Sequence, residues 1–104
     1  MMIPVDHPRY EGFELEETDS IKTGDLRRTA EKLERSSVQA PYTVYRIVLY
    51  GDRSRQDAPV EKGELLTCPR AHRAEVFLNG HSKGVDCSSP EEAVQRVLGE
   101  DGTG

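Results

Sequence analysis

The sequence predicts an α+β fold: a small antiparallel sheet of three to five strands with two helices packed on one face. Three observations carry this prediction. Ala74, Val76 and Leu78 alternate with Glu75, Phe77 and Asn79, the two-residue period of a strand with unlike faces. Asn79-Gly80 follows, and both residues tolerate the positive φ of a tight hairpin turn. Ser89-Pro90-Glu91-Glu92 then opens a helix: Ser89 caps it, Pro90 takes its first position, and Glu92 completes a capping box. The chain thus ends hairpin-then-helix, and the expected order is (β)αβββα.

Residues 1–9 carry no hydrophobic period and read as a flexible N-terminal segment. Residues 10–99 read as a single α+β domain, and 100–104, polar and Gly-rich, as a flexible tail. In residues 10–18, Phe13 and Leu15 share one side of a strand pattern and Glu14 and Glu16 the other. This is an edge strand or an acidic extended arm, since carboxylates along an edge discourage another chain from adding to it.

Residues 25–36 have a helical stripe of Leu26, Ala30 and Leu33, with Asp25 as the expected N-cap. Glu31 and Arg35, four residues apart, should pair weakly on its outer face. A helix of this length is marginal alone and needs a sheet to lie on.

Residues 42–50, Tyr-Thr-Val-Tyr-Arg-Ile-Val-Leu-Tyr, form the strongest strand pattern in the chain. Tyr45, Ile47 and Leu49 make one face, Val44 and Val48 the other, so the strand is expected to be central. Residues 51–63 have no period and read as a surface loop. Residues 64–68 make a short strand, 69–73 a connection, and 84–87 the return strand of the hairpin. The last helix, 90–98, buries Val94, Val97 and Leu98, and Gly99 closes it. The expected core is Leu26, Leu33, Tyr45, Ile47, Leu49, Val76, Leu78, Val85, Val94, Val97 and Leu98.

Composition bounds the function. Of 104 residues 35% are hydrophobic and 32% charged, with no Trp, so the core is modest. The net charge of −5 argues against nonspecific nucleic-acid binding, which needs a basic face. No apolar run approaches the ~20 residues of a membrane span, and the N-terminus lacks the apolar core of a secretory signal. The expectation is a cytoplasmic protein with reduced thiols. Arginine outnumbers lysine ten to four, a usage expected of a GC-rich bacterial or phage genome.

Cys68, His72, His81 and Cys87 suggest a Cys2His2 zinc site, but their spacing, C-x3-H-x8-H-x5-C, is not that of the common zinc modules. With a turn at Asn79-Gly80, His81 and Cys87 lie ~20 Å apart on one strand, too far to share an ion. Whether Cys68 and Cys87 pair is open at this level. No phosphate-cradling glycine loop or nucleophile–base pair is present, and no cofactor is expected.

Two charged sets suggest binding. Glu11, Glu14, Glu16, Glu17 and Asp19 lie in a half (residues 1–40) with nine carboxylates against six basic groups. They suit a basic protein partner. Arg53, Arg55, Arg70, Arg73 and Lys83 lie on loops and the hairpin and could hold a nucleic-acid backbone. Yet residues 51–87 balance six basic groups against six acidic ones. The leading expectation is a non-enzymatic protein-binding or regulatory module, such as an adaptor, accessory subunit or mobile-element-type inhibitor, using the acidic strand and exposed loops. The alternatives are a nucleic-acid-binding module using the Arg-bearing loops, and a small enzyme with a site at His72 or His81.

Overall fold

A computed structural model of the chain describes residues 2–5, 7–35, 41–51, 61–78 and 80–103. Among these described residues six strands and two helices follow in the order β1 (Ile3–Pro4), β2 (Gly12–Thr18), α1 (Gly24–Arg35), β3 (Thr43–Tyr50), β4 (Glu61–Cys68), β5 (Arg73–Leu78), β6 (His81–Asp86) and α2 (Pro90–Thr103). All six strands join one sheet in sequence order, each antiparallel to its neighbours. The α+β class is as predicted, but the sheet has six strands rather than three to five, and the order is ββαββββα. The added strand is β1, whose two residues pair with Phe13 and Gly12. A two-residue ladder leaves no period to detect in sequence.

Pairing assigns every side chain to a face, because directly opposed residues on antiparallel strands point the same way. Leu15 opposes Ile47, and Tyr45 opposes Leu65, which opposes Val76. This face, with Phe13, Leu49, Ala74, Leu78 and Val85, packs against Ala93, Val94, Val97 and Leu98 of α2. The opposite face carries Val44, Leu66 and Phe77, and packs against Leu26, Ala30 and Leu33 of α1.

The helices therefore lie on opposite faces, and the prediction of two helices on one face is corrected. The reason is written into β3 and β4. Ile47-Val48-Leu49 and Leu65-Leu66 are buried runs, and consecutive strand residues point to opposite sides. A sheet so apolar on both faces needs cover on both. Burying Leu26 alone contributes ~2 kcal/mol by the area removed from water.

Boundaries shift for local reasons. α1 begins at Gly24, and the Arg27 N–H donates to the Thr23 carbonyl at 3.0 Å, which makes Thr23 the capping residue in place of Asp25. Asp25 turns instead to Arg28 and to the Ser82 hydroxyl. The helix α2 continues past Gly99, where no proline or positive φ interrupts it. At the β5–β6 hairpin Leu78 pairs with His81, so the return strand starts at His81 rather than Gly84, and Gly80 takes φ +81° as such a turn requires. Asn79 and most of the predicted loop, 52–60, lie outside the described residues.

The core is wider than expected. Tyr10, Phe13, Val44, Leu65 and Leu66 are buried, whereas Leu33 and Tyr45 are only half-buried. At the N-terminal end, His7 Nδ1 accepts from the Arg9 N–H at 3.0 Å, and its ring stacks on Tyr10 at 5.1 Å. The Arg9 guanidinium lies over the same tyrosine ring.

Candidate functional site

β2 has seven residues, and β1 pairs with only its first two. Among the described residues no strand lies beyond 14–18, so that stretch of β2 has a partnered inner edge and an open outer one. Along it Glu14 and Glu16 point to the α1 side of the sheet and Glu17 to the α2 side. Glu11 precedes the strand and Asp19 follows it, both exposed. The structure thus sets the five predicted acidic residues along a strand edge as a rim on both faces.

On the α1 side the helix sits over β4, with Val44 of β3 and Phe77 of β5 packed beside it, and no residue of β2 joins that cluster. Glu16 opposes Arg46, and Glu14 opposes Val48. Desolvation first, then the nearby carboxylates of Glu14 and Glu16, raise the Tyr50 pKa above its ordinary value of 10.0. On the α2 side, Tyr45 is pushed in the same direction by burial and then by Glu17 and Glu91.

The basic set is dispersed. Arg73 stands on the α1 side of β5 and meets Asp86 at 3.8 Å, with both groups largely exposed. Lys83 opposes Val76 and so stands on the α2 side. Arg70 lies on a 3-10 turn, Pro69–Ala71. Arg53 and Arg55 lie outside the described residues.

The cysteines are free: Cys68 packs in the α1 layer and Cys87 in the α2 layer. Burial, followed by the charge of Glu75, raises the Cys68 pKa. Burial, followed by that of Glu92, raises the Cys87 pKa. Both shifts favour the unreactive thiol over the thiolate. His72 adopts a left-handed conformation, φ 51°, at the β4–β5 corner, where its carbonyl accepts the Cys87 N–H at 2.9 Å. His81 stands at the far end of β6 from Cys87. Cys68, His72 and Cys87 thus line one small pocket at the β4–β5 corner while His81 stands apart from them, and among the described residues no three His, Cys, Asp or Glu side chains are placed to hold a metal ion.

Glu64, one of the six acidic residues of 51–87 and not singled out by the sequence pattern, is buried on β4. Its carboxylate accepts the Lys22 N–H at 2.8 Å, the Thr23 N–H at 2.5 Å, and the Thr23 hydroxyl. It thereby ties the start of α1 to the centre of the sheet. The signal for it was alternation: Glu64 and Leu66 share the face that α1 covers.

The chain matches no protein-family model, no curated protein and no solved structure.

Proposed function

We propose that this chain is a non-enzymatic protein-binding module that accepts a basic, extended segment of a partner along the outer edge of β2. The observation that carries the reading is the mismatch between β1 and β2: two residues of ladder against a seven-residue strand. An open edge adds a strand through backbone hydrogen bonds, and flanking side chains choose which strand is accepted. Here Glu14, Glu16 and Glu17 do the choosing. A second acidic copy would set carboxylate against carboxylate. A strand with lysine or arginine on both faces gains opposite-charge cross-strand pairs, each worth ~0.2–1 kcal/mol. Long-range attraction also speeds its approach.

A short peptide of alternating lysine and valine tests the reading. It should bind with new amide protection confined to residues 14–18, weaken as salt rises, and fail to bind the triple variant Glu14→Lys, Glu16→Lys, Glu17→Lys. Binding that the triple variant retains would overturn the proposal, as would no binding at low salt. Tight, strongly salt-dependent binding of DNA or RNA by the unmodified chain, with no peptide binding, would favour the Arg-bearing loops instead.

A further inference from the structure

A crevice of about 370 Å³ opens on the α1 side of the sheet, between the second half of α1 and the β4–β6 strands. It lies away from the β2 edge, and its size falls within the usual range of small-ligand sites, ~300–1,000 Å³. Leu33 and Leu66 give it an apolar wall, and Ala71 and the Cys68 thiol extend it. Two opposite charges, Arg73 and Glu75, also line it. They stand two residues apart on β5, hence on one face and ~6.6 Å apart along the strand.

Neither charge is fully engaged. One Glu75 carboxylate oxygen, Oε2, accepts the Thr29 hydroxyl at 2.5 Å, and Oε1 takes no hydrogen bond from the described residues. Arg73 has the exposed 3.8 Å pair with Asp86, a geometry that contributes little. Its guanidinium lies across Gly84, where a side chain would crowd it. An apolar wall flanked by one carboxylate and one guanidinium is complementary to a small dipolar ion with an aliphatic body.

We infer that this crevice binds a free α-amino acid with an aliphatic side chain. Glu75 takes the ammonium group and Arg73 the carboxylate, a match its planar fork makes with two parallel hydrogen bonds. The side chain lies against Leu33 and Leu66. Each charged end is required, so removing either one weakens binding about tenfold, the scale of one charge-assisted hydrogen bond. Binding here is independent of the β2 edge.

Amide-resolved NMR titration of the full chain with L-leucine tests the assignment, with leucinamide, N-acetyl-leucine and glycine in parallel. Saturable shifts centred on Thr29, Leu33, Leu66 and Glu75 are expected with leucine. The two blocked forms should bind about tenfold more weakly, and glycine, which has no side chain for the wall, more weakly than leucine. Glu75→Gln keeps an acceptor for Thr29, so α1 stays seated, and it should lower leucine affinity to a similar degree. The charge-reversed β2 variant should bind leucine normally. The proposal fails if leucine gives no saturable shifts, if the shifts map elsewhere, or if leucinamide and N-acetyl-leucine bind as well as leucine. The ligand-side comparison decides the question even if the Glu75 variant does not fold.

Discussion

Glu64 shows how one buried carboxylate places a helix. The Lys22 and Thr23 amides precede the first turn of α1, and both donate to it. Its negative charge also sits at the positive end of the helix dipole. Replacing Glu64 with Ala removes three hydrogen bonds to a charged acceptor and should destabilise the protein by about 2–4 kcal/mol in urea unfolding. Glu64→Gln keeps an acceptor and should cost less.

The tyrosines make a second prediction at the residue scale. Tyr42 donates to Glu34 at 2.6 Å, and that hydrogen bond, then burial, raises its pKa. Tyr45 and Tyr50 are raised as well. A pKa raised in the folded state means the fold favours the neutral phenol. The associated stability is therefore fully present below the ordinary value of 10.0 and lost as pH rises through the folded values. Stability should decline on the alkaline side of that value, and phenolate absorbance should develop at higher pH in the folded chain than in the unfolded one.

Among the elements, α2 is the one whose start is set most locally. The Glu92 N–H donates to the Ser89 hydroxyl at 3.2 Å, and Glu92 pairs with Arg96 one turn later. Ser89→Ala should cost about 1 kcal/mol, seen as a Tm lowered by about 5 °C. The strand β4 is held differently. A side chain at Gly63 would overlap the Phe77 carbonyl and the Leu78 side chain, so this glycine lets the end of β5 lie close against β4. The contrast between α2 and α1 is one of capping. Ser89 and Glu92 are three residues apart, whereas Thr23 and Glu64 come together only when the sheet forms.

In the whole molecule the sheet separates two chemically distinct layers. The α2 layer holds the larger core and Cys87; the α1 layer holds Cys68, Glu64 and the crevice at Glu75. The two cysteines are free thiols that pack in opposite layers. Tm should therefore be the same in oxidising and reducing buffer, and both thiols should alkylate slowly at neutral pH until the chain is unfolded. Rapid alkylation of Cys87 in native buffer would contradict its burial. The open β2 edge and the crevice are independent surfaces of this one layered body, which is why charge reversal at one should leave the other working.

Where structure depends on neighbours in sequence, it was legible. The alternation of β5, the tyrosine-rich pattern of β3, the Ser89 cap of α2 and the stripe of α1 are each set by residues within a few positions of one another; the Glu92 carboxylate turns to Arg96 instead of closing the capping box. The acidic character of β2 was legible too, though not that, among the described residues, no strand pairs with its outer edge over 14–18. Contacts between distant segments decided the rest. The paired strand at Ile3–Pro4 exists because β2 offers it a partner. The cap of α1 comes from Glu64, 41 residues beyond Thr23. Arg73 and Lys83 part company because the strand pairing sends them to opposite faces. The two-sided apolarity of Ile47-Val48-Leu49 and Leu65-Leu66 required cover on both sides of the sheet. Only the assembled sheet determined which helix supplied it, since a helical stripe specifies that it must be buried and not against which face.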